Sequence, residues 1–403
     1  MTRMIMLPLA LCMACGPAQT DQASSLVTSS DPDLAEAAAR LLPDLADRSG
    51  LELLEPVRLE RRTRAELQRY LEFKLDEELP VDEARLVTES YALFGMVPQD
   101  MDLRAVLKNL YLEQVAGFYD PDSTTLFVLD DQPESTLESL LVHELVHAIQ
   151  DQNVDLDAIT DPDLGNDRQV AAQAAIEGHA TLVMFEFLMG RQGSDVDVTE
   201  VSDFTDLVRP ALEAARTQSP ALASAPLVLQ ESLLFPYLGG ASFVEALWKQ
   251  EPGRPAPFGE RLPASTEHIL HPERFLGGEP DQPTAVQIEA PEGWTQLHDD
   301  SLGELETGIL LETHTGSRLS AEGWDGDRFV LLENDDGTRV LVWVSVWDSE
   351  SQRDRFVQAL EQSASGFPVP ASIDPIDVSG TPGVRLRLGD AVEVEASLSQ
   401  PGG

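Results

Sequence analysis

Two of the chain's seven histidines, His143 and His147, stand four residues apart in "LLVHELVHAIQD", and Glu144 follows the first directly. On an α-helix residues i and i+4 share a face, so both imidazoles point the same way, with Glu144 one step round. Two such nitrogens make half of a zinc site, and a hydrolytic zinc also needs a carboxylate beside its water. The pattern predicts Zn²⁺ on His143 and His147, with Glu144 as the general base. The competing reading is an apolar helix that carries two incidental histidines and an acid.

Two histidines and a water leave a tetrahedral ion one protein ligand short. No third histidine follows six residues on, because position 153 is Asn, and no glycine stands at 150. Asp151, one turn beyond His147, lies on the correct face to complete the site or to orient His147 from behind. Glu177, in "AAIEGHAT" on the next strong helical run, is the better candidate. A carboxylate among alanines is costly to bury unless a partner such as a metal satisfies it. Ala171, Ala172, Ala174, Ala175 and Gly178 would let this helix lie close against the first. His179 is the rival ligand, nearly opposite Glu177 on the helix.

His143, Glu144, His147 and Glu177 together resemble the pattern of the zincin metallopeptidases of gluzincin type, His-Glu-x-x-His…Glu, over roughly residues 105 to 250. "EGHAT" is similar to the Glu-Gly-x-Ala form of the distal motif, although Thr181 stands where an aspartate is common. "EQVAGFYDP", "HELVHAIQDQ", "STEHILHP" and the "GWDGDRFVLL" tail resemble segments that occur together in bacterial zincin-like proteins. The resemblance implies that His143, His147 and Glu177 bind zinc, that Glu144 activates water, and that a peptide or protein substrate is hydrolysed. It also implies a substrate-binding edge strand just before the active helix, with which an extended peptide pairs. Tyr237 and His271 are candidate donors to a tetrahedral oxyanion. Two other readings stand beside this one. In the first, the chain is a non-catalytic zinc-binding surface lipoprotein with an envelope or adhesion role, in which Glu144 has no use. In the second, hydrolysis acts on an amide other than a peptide.

The elements that must position these residues follow from periodicity. From Asp31 to about Lys108 the apolar spacing is helical, opening on an Asp31 cap with Pro32 in the first turn. Gly117 should end a helix. Phe118–Tyr119 and Leu126–Leu129 read as short strands joined by the turn Asp120–Ser123. The motif helix should open on a capping box of Ser135 and Glu138, and bury Leu137, Leu140, Leu141, Leu145 and Ile149. Helices from about Arg168 to Met189 and within 205 to 250 follow, then a Pro/Gly-rich stretch from Glu251 to Pro283. Beyond a boundary placed at Thr284 to Trp294, "DRFVLLENDDGTRVLVWVSVWD" and "GVRLRLGDAVEVEASL" read as two hairpins around a capped helix, "SESQRDRFVQALEQ". The fold class is α+β: a mostly helical zincin-like domain over 31–290 with an N-terminal helical layer and a short edge-strand sheet, then a smaller α+β module over 291–403. Trp324, Trp343 and Trp347 would build that module's own core.

Charge and cysteine narrow the setting. With 71 acids against 27 bases, a net charge of −44 and only three lysines, nucleic acid and anionic lipid are excluded as partners. "MTRMIMLPLALCMACGPAQTDQ" has one basic residue, an apolar stretch and the chain's two cysteines, Cys12 and Cys15. It is too short to span a membrane and fits an export signal over 1–15. Small residues on both sides of Cys15 resemble a bacterial lipoprotein cleavage site, with Cys12 in place of the usual leucine. Residues 16–30 then form a flexible tether. Lipidated at Cys15, the protein would touch a membrane only through that anchor and sit at the outer membrane or cell surface. Without the lipid it would be periplasmic or secreted.

Overall fold

The Asp31 carboxylate accepts from the amides of Asp33 and Leu34, and Pro32 fills the first turn, so helix α1 (Pro32–Ser49) starts where its cap dictates. Gly50, at φ 66°, ends it in the left-handed conformation. The computed structural model describes residues 26–193, 196–201, 204–205, 208–209 and 219–399; Cys12 and Cys15 lie outside these. The stretch read as helical from Asp31 holds a strand as well, β2 (Val57–Arg62), and β1 (Val27–Ser29), which pairs with it, lies among the residues expected to form the flexible tether. "VRLERR" alternates apolar and charged residues, and Val57 and Leu59 point into the core. Helices α2 (Arg64–Glu78), α3 (Val81–Leu93) and α4 (Leu103–Gln114) follow, with a complete capping box at Thr63 and Glu66.

Helix α4 ends at Gln114, three residues before Gly117, which opens strand β3 (Gly117–Asp120). A Cβ there would lie 2.7 Å from the Phe127 carbonyl, so only glycine fits. With β4 (Thr125–Leu129) it forms the expected hairpin. The sheet order is β1-β2-β4-β3, parallel except for β3 at the edge. Both faces are covered. Phe118, Phe127 and Leu129 face the α2–α4 layer, while Tyr119, Leu126 and Val128 face α1 and α5 (Glu134–Asn153).

Helix α5 is buried from Leu140 to Gln150 on every side, because the sheet, α1 and α6 (Asn166–Arg191) enclose it. The expected capping box is not formed. Pro133, with its ring-fixed φ of −63°, sets the start two residues earlier, and no side chain caps the helix. Glu138 pairs instead with Arg40 and Arg191. Helix α7 (Leu227–Gln250) lies along α6. By length and composition α7 could cross a membrane, but 72% of its apolar window is buried inside the fold.

The C-terminal part is an antiparallel sheet of order β6-β7-β8-β10-β9: β6 (Trp294–Asp300), β7 (Trp324–Asn334), β8 (Arg339–Trp347), β9 (Ala371–Val378) and β10 (Thr381–Leu388). Helices α8 (Gly303–Thr315) and α9 (Glu350–Ser363) cover one face; the pair β5 (Val286–Glu289) and β11 (Glu395–Leu398) covers the other. The first hairpin and the Ser349-capped helix are as expected. The second is corrected. Strand β10 turns back on β9 through Ser379–Gly380, both at positive φ, while β11 leaves to pair with β5, so Gly389–Asp390 joins no hairpin. The expectation for the tryptophans is also corrected. Phe94 packs edge-on against Phe329 and Trp343, the Tyr91 hydroxyl donates to Glu306, and one continuous core runs from Leu67 to Leu388. The whole is an α+β protein.

Candidate metal centre

On α5 the four-residue spacing turns His143 and His147 towards α6, and the side chain of Glu177 meets them there. His143 Nε2 lies 3.0 Å and His147 Nε2 3.5 Å from Glu177 Oε2, and the two nitrogens are 3.1 Å apart. A tetrahedral zinc with bonds of about 2.0–2.1 Å spaces its ligand atoms about 3.3 Å apart. The three atoms therefore outline one face of such a tetrahedron, and two nitrogens with one carboxylate oxygen are a zinc-type donor set. All three residues are buried. Helix α6 can bring Glu177 this close because Gly178 crosses Gly240 of α7, where any side chain would strike backbone.

Glu144 stands beside the triangle and outside it. Its Oε2 accepts the amide hydrogen of Tyr119, 2.8 Å away on the edge strand β3, and its buried Oε1 has no protein partner among the described residues. Desolvation pushes Glu144 up to about 8. The same burial pushes His143 down. Burial also acts to raise Glu177, but the facing His147 and the hydrogen bonds from both histidines outweigh it and hold the carboxyl well below its ordinary range.

The remaining sequence candidates fall in different places. The Tyr237 ring lies 6.1 Å from that of His143, beside the site. His271 bonds Glu304 at 2.8 Å, and its contacts are not with the metal residues. Asp151 neither joins the triangle nor orients His147; it accepts from the Tyr119 hydroxyl at 2.7 Å and from the Leu156 amide. The group that meets His147 from behind is Gln150, whose Oε1 accepts from Nδ1 at 2.8 Å. Gln150 Nε2 bonds the Ile176 carbonyl and His179 Nδ1, and His179 Nε2 reaches the Ser49 carbonyl at 3.1 Å. His179 is thus behind the site. The signal for Gln150 was an amide three residues after His147, just beyond the apolar run Leu145–Ile149 that only His147 interrupts.

A second group of acids, Glu267, Asp281 and Asp348, also gathers its oxygens within 4.8 Å. Arg274 Nη1 already fills it, at 2.6 Å from Glu267, 2.7 Å from Asp348 and 3.7 Å from Asp281.

Residues 291–382 match a domain of unknown function (DUF8575). The match takes in most of the C-terminal sheet with α8 and α9 and contains none of the metal-site residues. Comparisons with curated proteins and with solved structures give no match.

Proposed function

We propose that this protein is a zinc-dependent peptidase of zincin, gluzincin-like type, which hydrolyses peptide bonds with Glu144 as general base. The observation that carries the reading is the triangle of His143 Nε2, His147 Nε2 and Glu177 Oε2 at tetrahedral spacing, with a separate carboxylate beside it. A structural site has no use for that fourth residue. When bound there, zinc supplies Lewis acidity that polarises a carbonyl and acidifies water. The Tyr119 amide holds one oxygen of Glu144, so the other is directed to take the proton of the attacking water and return it to the leaving amine. Strand β3 ends its sheet next to Glu144, where an extended substrate can lie. Tyr237 is the nearer of the two candidate oxyanion donors. With a lipid on Cys15, the peptidase is tethered outside the inner membrane.

The test is metal content and cleavage together. Purified protein should hold one zinc per chain and cut an unstructured polypeptide, lose that cleavage with a chelator, and regain it with zinc. Zinc-loaded protein that cleaves none of a panel of unfolded polypeptides would overturn the peptidase reading.

A further inference from the structure

Only the His147 tautomer with an unprotonated Nε2 can contribute that atom to the triangle, and the groups behind the ring decide which nitrogen carries the hydrogen. The Ser49 carbonyl can only accept, so His179 Nε2 is the protonated nitrogen of that ring and Nδ1 the acceptor. The Ile176 carbonyl likewise only accepts, which fixes the amide of Gln150 with its NH₂ towards Ile176 and His179 Nδ1, at 3.0 and 2.9 Å. Both amide hydrogens are then committed, and Oε1 faces His147 Nδ1 as an acceptor alone. His147 Nδ1 must carry a hydrogen, so the neutral ring, the form that binds a metal, can present only the lone pair of Nε2 to the centre. The four residues Ser49, His147, Gln150 and His179 are completely buried, so water does not substitute for any link.

We infer that Gln150 and His179 form a positioning relay that fixes the His147 tautomer, anchored at the Ser49 carbonyl, and that the N-terminal helix α1 is thereby part of the metal centre. The anchor is itself held. In the loop after α1, the Leu54 and Glu55 amides donate to Gln152 Oε1, Gln152 Nε2 donates to the Glu55 carbonyl, and Asn153 Nδ2 donates to the Glu52 carbonyl. Two residues of the last turn of α5, Gln152 and Asn153, therefore clamp the segment that ends the relay.

The inference rests on His147 being a metal ligand, and the experiment separates the two. Zinc affinity is measured by chelator competition, with the melting temperature and the visible spectrum of the cobalt-loaded protein alongside. Gln150→Leu keeps the volume and removes the acceptor, so zinc affinity should fall about 10- to 100-fold. Gln150→Glu restores an acceptor for Nδ1–H but loses a donor to Ile176 and His179. It should melt lower than Gln150→Leu yet bind zinc more tightly than it, an inversion that a packing role alone would not produce. His179→Phe keeps a ring between Trp248 and Phe258 and should weaken zinc in the same direction, which also serves if Gln150→Leu does not fold. Folded Gln150→Leu and His179→Phe with wild-type zinc affinity and cobalt spectrum would overturn the relay. His147→Ala with wild-type zinc affinity would overturn the metal site beneath it.

Discussion

Gly240→Ala should damage the metal centre from the far side of α6, and the size of the effect can be worked from the helix crossing. A Cβ on Gly240 would stand 1.9 Å from the Ala174 carbonyl oxygen, where ordinary contact begins at 3.4 Å. The methyl therefore forces α6 and α7 apart by about 1.5 Å, and no rotamer relieves it, because both partners are backbone. Glu177 lies within one turn of the contact, and its oxygen is 3.0 Å from His143, so a shift of that size dismantles the triangle. Overpacking at the top of its usual range costs about 3 kcal/mol. Replacing glycine by alanine inside a helix returns about 1 kcal/mol of propensity. The net loss should be about 2 kcal/mol or more, together with a fall in zinc affinity. Gly190→Ala, on the same helix α6 but only 3.4 Å from the mobile end of Arg48, should gain up to about 1 kcal/mol and leave zinc untouched. Denaturant unfolding and zinc competition on both variants decide the matter. If Gly240→Ala is as stable as Gly190→Ala and binds zinc like the wild type, the close crossing does not place Glu177.

Three further outcomes are expected. Glu306 is pushed up to about 8 by burial, so the stability that it contributes is complete below the ordinary carboxyl range and is lost as pH rises through about 8. Glu306→Gln, which can still accept from Tyr91, should flatten the fall in melting temperature between pH 6 and pH 9; an unchanged slope would refute this. A fragment beginning at Gln287 should not fold alone, since it bares the faces of Phe329 and Trp343 that Phe94 covers; dispersed amide resonances from that fragment would refute the shared core. Mass spectrometry of the mature amino terminus should find a diacylated Cys15 or its further acylated form, and a free terminus elsewhere would exclude the anchor.

Much of the candidate metal centre was legible because its parts are local. Histidines four apart must share a helix face, and an acid buried among alanines must have a partner, so His143, His147 and Glu177 could be grouped before any fold was known. Gln150 was passed over for Asp151 because a charge one turn after His147 looked the stronger partner, and nothing local showed that the Tyr119 hydroxyl would take it. Short-range chemistry was also misread in the C-terminal part. The hairpin was placed at Gly389–Asp390, whereas Ser379–Gly380 is the turn and β9, at the sheet edge, accepts Pro375. The union of the two cores was not legible at all, because the contacts of Phe94 with Phe329 and Trp343 span more than 200 residues and leave no periodic trace.

Glu144→Gln tests the central claim most directly. The substitution keeps the size of the side chain and its acceptor for the Tyr119 amide, while it removes the base. The variant should bind one zinc with unchanged affinity and melt close to the wild-type temperature, since size and the bond from the Tyr119 amide are kept. Its peptide hydrolysis should fall roughly 10²- to 10⁴-fold. His147→Ala should instead lose zinc and activity together. Cleavage by Glu144→Gln at the wild-type rate, with zinc in place, would contradict the assignment of Glu144 as the base.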